Sequence, residues 1–187
     1  SSGNIKLEFM NLNLNELVQQ VNGEFTERFE SRNLDLICIL QPEPLLICAD
    51  SRRIWRVLEN LYVNVCKYAM PGTRVYVDAI RKDGKIQFSI KNISENALNC
   101  EADELTERFI RGDVSRSTEG SGLGLSIAKN LTVLQHGTFD IYLDGDLFKV
   151  TITFDEVVKE KKPETSGYTA KPEMPEEDLE KPSSDTI

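Results

Sequence analysis

The chain has 187 residues, 40% of them hydrophobic, enough for one well-packed domain and a tail. Its formal charge of −9 argues against nucleic acid or an anionic membrane surface as the main partner, because both demand clustered lysine and arginine. No apolar run approaches the roughly 20 residues of a membrane-spanning helix, and no charged-then-apolar leader is read at the start.

In chain order, the alternating segment "IKLEF" (5–9) predicts a short strand. Leu17, Val18, Val21, Phe25 and Phe29 then recur at three or four, predicting a helix from Leu14 to about Arg32. "LDLICIL" and "PLLICAD" predict two strands on either side of a "QPEP" turn. Asp50 or Ser51 caps the next helix, whose inward stripe is Ile54, Val57, Leu58, Leu61 and Val65. "TRVYVDAIRKDGKIQFSIKN" reads as a hairpin turning at Asp83-Gly84, and "ADELTERF" as a short helical piece in a polar stretch. A further helix carries Ile127, Ala128, Leu131 and Leu134 at helical spacing and ends with His136 ahead of a Gly137 cap. "GTFDIYLDGDLFKVTITF" is a second hairpin, turning near Asp144-Gly145.

This mixture implies an α+β sandwich: one mixed sheet with helices on one face. From 156 to 187 the chain is rich in Pro, Glu, Lys and Ser, too poor in apolar side chains to offset ordering entropy, and is expected to be disordered. The four cysteines, Cys38, Cys48, Cys66 and Cys100, show no C-x-x-C spacing and no neighbouring histidine. They read as free, mostly buried thiols in a reducing compartment rather than zinc ligands.

Two constellations carry chemistry. In "TEGSGLGLSIAKNL", Gly120 and Gly122 precede a helix and Gly124 falls in its first turn. Glycine there lets an anion approach N–H groups that have no partner within the helix and that carry the positive end of its dipole. No Gly-Lys-Ser/Thr follows, and the third glycine comes one position too early for a dinucleotide fingerprint. By itself the spacing fits a phosphate site or a flexible helix start. On the earlier helix, "LENLYVNVCKYA" puts Asn60 and Asn64 on one face a turn apart, with Lys67 close to that face and Tyr68 next to it. Asparagine is a poor residue inside a helix. The pair fits either a brace for a neighbouring loop or a neutral oxygen ligand for Mg²⁺ at about 2.1 Å, with phosphates and water completing the octahedron.

With these residues the chain resembles the ATP-binding catalytic domain of bacterial sensor histidine kinases, in the superfamily that includes the gyrase and MutL ATPases. "RVLENLYVNVCKYA" resembles the family's N box, "ERFIRGD" its phenylalanine box and "GSGLGLSIAKNL" its second glycine box. The resemblance covers 12–155 and implies a Bergerat-type two-layer sandwich that binds ATP and Mg²⁺. Asn64 would be the metal ligand, Lys67 would meet phosphate, Tyr68 would pack on the nucleotide and Asn60 would lie near the transferring phosphoryl group. Arg111 or Arg116 of a lid would reach the phosphates, and Gly120, Ser121, Gly122, Leu123, Gly124 and Leu125 would line them. Glu59, rotated by about 100° on the helix, is expected outside the pocket.

One box departs from the family. Where Asp-x-Gly-x-Gly is usual, "KNISENAL" places Asn92, Ser94 and Asn96. An amide can accept from the adenine amino group and donate to the adjacent ring nitrogen, so Asn92→Asp is expected to keep or tighten recognition. The resemblance also implies a phosphoacceptor histidine on a separate dimerisation hairpin, which this chain does not contain. Residues 1–11 would be the remnant of the segment joining that hairpin, and the chain is expected to be a monomer. Its parent would be a membrane-anchored sensor with a cytoplasmic kinase portion and a response regulator as partner. The alternatives within the superfamily are a nucleotide-binding module with weakened or lost catalysis and an anti-sigma-type protein kinase. Asn60, in place of a glutamate, speaks against the water activation of gyrase-like ATPases.

Overall fold

The computed structural model describes residues 6–98 and 123–158. Its elements are β1 (Phe9–Asn13), α1 (Leu14–Ser31), β2 (Asp35–Leu40), β3 (Leu46–Asp50), α2 (Ser51–Tyr68), β4 (Arg74–Lys82), β5 (Lys85–Ile93), α3 (Gly124–Leu134), β6 (Thr138–Asp144) and β7 (Leu147–Asp155). A five-stranded sheet runs in the order β2-β4-β5-β7-β6, and β1 and β3 form a separate ribbon. The β2–β4 pair is parallel and the other four-strand run is antiparallel. Parallel pairing needs a long crossover, and here β3 and α2 supply it.

The expected alternation holds along the central strands. Val75, Val77 and Ala79 of β4, Ile86, Phe88 and Ile90 of β5, and Val150, Ile152 and Phe154 of β7 are buried on one face. The opposite face carries residues such as Asp78 and Ser89, which share a cross-strand hydrogen bond of 2.8 Å. The three described helices bury their stripes in the same core as the first face. Phe25 and Phe29 of α1 pack on Tyr62 of α2, Phe29 stacked at 5.7 Å, and the Tyr62 hydroxyl donates to Asn22 Oδ1. α1 and α2 therefore run as the periodicity predicts. No described helix is long and apolar enough to cross a membrane.

Several local expectations change. The first strand is Phe9–Asn13, not 5–9, because its position is set by pairing with β3, Phe9 opposite Asp50 and Asn13 opposite Leu46. The strands flanking "QPEP" do not pair with each other; they belong to different sheets. In α3 the inward stripe is Leu125, Ala128, Leu131 and Thr132, while Leu134 is 45% exposed. Cys66 is buried and Cys38 half-buried, but Cys48 is exposed, since β3 turns it away from the core.

The end of α3 corrects the expectation for the His-Gly pair. His136, with φ +66, takes the left-handed position, and Gly137 follows it. The N–H of His136 bonds Val133 O and that of Gly137 bonds Thr132 O, both at 3.0 Å, the double closure of a Schellman motif. Glycine is required at 137 for a different reason: a Cβ there would lie 2.7 Å from the Phe154 ring.

Asp50 caps α2, as one of the two expected candidates. Its Oδ1 accepts from the N–H groups of Arg52 and Arg53 at 3.0 and 3.1 Å, and Oδ2 from that of Glu8 at 2.8 Å. The bond from Glu8, then those from Arg53 and Arg52 and the Arg53 charge, outweigh burial and hold the carboxyl below its usual range. Because the folded value is depressed, this stabilisation is full above the unfolded value of about 4 and is lost as pH falls through the folded one. Asp50→Ala is expected to cost about 1–2 kcal/mol at neutral pH and to flatten the acid limb of stability. Urea unfolding at neutral and acid pH reads both effects, with Asp50→Asn, a non-titrating cap, retaining more of the stability.

Candidate functional site

Asn60 sits on the polar edge of α2 and is only 9% exposed. Its Nδ2 donates to Arg56 O one turn back at 2.8 Å. The amide is thereby fixed with its oxygen toward the start of α3, where a Cβ built on Gly124 would lie 3.6 Å from Asn60 Oδ1. Two motifs 64 positions apart in sequence thus meet in space. Asn64, a turn further along the same face, is half-buried, as is Tyr68, and Lys67 is exposed. Glu59 pairs with Arg56 at 2.9 Å on the exposed side of the helix, away from the asparagine face as expected.

Among the described residues no side chain caps α3; Leu123 holds the N-cap position, its carbonyl accepting from the Ile127 N–H and the Ser126 hydroxyl, both at 2.9 Å. Among the described residues no capping side chain claims the first N–H groups of α3, and these carry the positive end of the helix dipole, which suits an anion. Leu123 is 45% exposed, whereas Leu125 is buried in the core at 3%, so the Leu125 side chain supports the helix rather than facing a ligand.

The end of β5 carries the remaining described candidates. Asn92 and Ser94 continue the inward-facing phase of Ile86, Phe88 and Ile90, and are 3% and 5% exposed. This end is fastened to the end of α2. Ala69 bridges Ser94, Met70 N–H donates to Ile93 O at 2.8 Å, and Glu95 N–H donates to Tyr68 O at 2.8 Å. Ser94 N–H is held by Asp146 O at 2.7 Å. Asn92 Nδ2 donates to Ile93 O at 3.2 Å, but the buried Oδ1 has no hydrogen-bond partner among the described residues. Leaving such an acceptor unmet costs about 1–3 kcal/mol, so the position suits a further donor.

Asn60, Asn64, Lys67, Tyr68, Asn92, Ser94, Leu123, Gly124 and Leu125 thus fall on three joined elements. Arg111, Arg116, Gly120, Ser121 and Gly122, with the "ADELTERF" helix and the phenylalanine box, lie outside the described residues. The donor set fits a magnesium nucleotide: neutral amide oxygens, a cationic side chain and a helix start that no described side chain caps. A cavity of about 770 Å³ elsewhere, lined by residues including Asp35, Arg74 and Tyr76, includes none of the predicted site residues.

Sequence reasoning missed Gln135. It is 1% exposed, accepts from Asp50 N–H through Oε1 at 2.9 Å and donates to Leu131 O through Nε2 at 2.9 Å. It ties the end of α3 to the start of α2, the two helices that carry Gly124 and Asn60. The available signal was its place four residues after Leu131, on the buried stripe.

This arrangement defines a class when set beside solved structures, that of histidine kinase catalytic domains. The nucleotide-free catalytic domain of the histidine kinase ThkA superposes with a TM-score of 0.70 at 25% identity, covering 80% of this chain and 97% of that one. Full-length ShkA in complex with AMPPNP superposes at 0.68 with 21% identity, covering 83% of this chain and 32% of that one. The chain belongs to the histidine kinase-, DNA gyrase B- and HSP90-like ATPase family, whose profile matches residues 49–180. Among curated relatives, the signal transduction histidine-protein kinase BaeS of Escherichia coli is 30% identical over 123 residues, 65% of this chain and 26% of that protein. Sensor histidine kinase RppB of Synechocystis is 29% identical over 147 residues, 74% of this chain and 32% of that protein. The chain thus spans about a quarter to a third of the length of these relatives.

Proposed function

We propose that this chain binds ATP·Mg²⁺ and donates the γ-phosphoryl group to a histidine on a helical dimerisation hairpin of the same parent protein. The observation that carries the reading is the meeting of Asn60 on α2 with Gly124 at the start of α3. It places an amide-bearing helix face beside a helix start suited to phosphate.

In this reading Asn64 holds Mg²⁺, Lys67 neutralises phosphate charge, and the N–H groups at the start of α3 receive phosphate oxygens. Tyr68 packs against the nucleotide, Asn92 meets the base, and Asn60 lies near the transferring group. Among the described residues no three His, Cys, Asp or Glu side chains gather to hold a metal. The ion would therefore rely on the Asn64 amide, the phosphates and water. When bound, Mg²⁺ supplies neutralisation of charge on the phosphates. The protein's own part is positioning, because phosphoryl transfer needs the acceptor in line and little covalent chemistry from the enzyme.

The partners follow from the same reading. ShkA was solved with AMPPNP, and ThkA in complex with the response regulator protein TrrA. These support a nucleotide here and a response regulator reached through the parent, which we read as a membrane-anchored sensor with this portion in the cytoplasm.

Two measurements test the proposal. Calorimetric titration with ATP is expected to give tighter binding with Mg²⁺ than with a chelator. Adding a histidine-bearing helical hairpin from a related kinase is expected to yield acid-labile phosphate on that hairpin. Phosphate release to water with no transfer would point to an ATPase instead.

A further inference from the structure

We propose that the face of the five-stranded sheet turned away from the helices is a docking surface for the acidic segment 173–180 of this same chain, held by Lys91 and Lys149 between Tyr76 and Tyr142. The surface lies across the sheet from the candidate site, and the proposal does not depend on the nucleotide reading.

The strand register builds the surface. Val75, Val77, Ile90 and Val150 point into the core, so Tyr76, Lys91 and Lys149 point away from it. Tyr142 has the same phase on β6, between the core-packed Ile141 and Leu143. Tyr76 lies opposite Lys91, Lys91 opposite Lys149, and Lys149 opposite Tyr142, one row across four strands. Lys91 Nζ stands over the Tyr76 ring, 5.3 Å from its centre, a contact that attracts the ammonium without neutralising it. Among the described residues neither lysine enters an ion pair. Like charges directly opposite each other disfavour the sheet, and an anionic occupant spanning both replaces that repulsion with attraction. Arg74, two positions before Tyr76 on the same face, prolongs the positive path.

The carboxylates of this face bound the path and do not fill it. Asp35 stands on the edge strand β2, and Asp140 and Asp144 on the edge strand β6. Asp78 is already engaged, accepting from the Ser89 hydroxyl at 2.8 Å. An acidic occupant is therefore favoured along β5 and β7 and repelled at both rims.

The chain itself supplies such an occupant. Residues 173–180, "EMPEEDLE", include Glu173, Glu176, Glu177, Asp178 and Glu180 and no cation. Drawn out, Glu176, Asp178 and Glu180 would present on one side at intervals of about 7 Å. Opposed side chains of the sheet stand about 5 Å apart and diagonal ones about 7–8 Å. Reach is ample: residues 159–172 can extend over about 45 Å, while Lys149 lies only about 20 Å back along β7 from Asp155. A tethered segment acts at an effective concentration in the millimolar range, so a weak contact suffices. The formal charge of −9 on the whole chain disfavours nucleic acid as the polyanion.

The test uses the full chain, dilute. A zero-length carbodiimide joins an amine only to a carboxylate in contact with it. It is expected to link Lys91 or Lys149 to segment 173–180 within one molecule, read by mass spectrometry of the monomer. The yield is expected to fall several-fold at about 1 M salt, where the Debye length is about 3 Å. A variant carrying Glu176→Gln, Glu177→Gln and Asp178→Asn alters no residue of the sheet. Its NMR amide shifts are nevertheless expected to change at Tyr76, Lys91, Lys149 and Tyr142. Absence of those links within one molecule, or shift changes confined to the substituted segment, would overturn the assignment. None of these readouts involves nucleotide, so their failure would leave the reading of the candidate site as it stands.

Discussion

Asn64→Ala is expected to abolish most of the magnesium-dependent nucleotide affinity while leaving the fold in place. The residue is half-buried on the face of α2 that also carries Asn60, and among the described residues its side chain makes no hydrogen bond that the fold would lose. Alanine also has the higher helix propensity, so the helix loses nothing locally. What disappears is a neutral oxygen suited to Mg²⁺. Removing even an indirect partner of a metal typically costs 10–100-fold in affinity, so loss of a direct ligand is expected to cost at least about that much. Titration with ATP, with and without Mg²⁺, reads the effect as a collapse of the difference between the two curves. Unchanged ATP·Mg²⁺ binding by a folded Asn64→Ala would remove Asn64 from the metal's coordination and undo the assignment of this helix face.

The largest expected effect on stability away from the cleft comes from a single methyl group. In Gly137→Ala the new Cβ would lie 2.7 and 2.9 Å from two carbons of the Phe154 ring and 2.9 Å from Thr132 Cγ2. Phe154 is 3% exposed and Thr132 fully buried, so neither can swing into solvent to make room. Overpacking of this kind costs about 1–3 kcal/mol. Urea unfolding is expected to show a lower midpoint with an unchanged slope. Combining the change with Phe154→Leu, which removes the obstructing ring carbons, should recover part of the loss if the clash is its cause. Equal losses in the presence and absence of the Phe154 ring would place the cause elsewhere. The effect would also reach the candidate site: Gln135, two residues before Gly137, accepts from Asp50 N–H and so joins α3 to α2.

The relation between the two glycines of this helix is instructive. At Gly124 a Cβ would meet Asn60 Oδ1 at an ordinary 3.6 Å, so packing does not forbid a side chain there. At Gly137 packing does forbid one. The sequence offers the same letter at both ends of α3, and only the surroundings separate a glycine suited to ligand approach from one that makes room for a ring.

Much of the fold was legible because it depends on local periodicity. The three- and four-residue recurrence of Val18, Val21, Phe25 and Phe29, and of Ile54, Val57, Leu58, Leu61 and Val65, predicts two helices whose stripes are indeed buried. Asp83-Gly84 predicts a turn, and both residues adopt positive φ, which suits the right-handed twist of a two-residue hairpin. At the second hairpin, Asp144 pairs with Leu147, leaving Gly145 and Asp146 as the turn itself, one position beyond the expected pair. The residue types at the cleft were legible too, since two asparagines on one helix face and glycines ahead of another are unfavourable to secondary structure unless something else uses them.

What the sequence alone determined is therefore the set of elements and the chemistry each one carries. The tertiary structure decided where β1 begins, that the strands on either side of "QPEP" part into different sheets, and that Leu125 rather than Leu134 faces the core. It also decided that Asn60 meets Gly124, and that the Asn92 amide turns its nitrogen to Ile93. The physical reason is common to all of these. Periodicity and capping are set by interactions within a few residues along the chain. Strand partners, buried faces and amide directions are set by groups far away in sequence, whose positions exist only once the chain has packed.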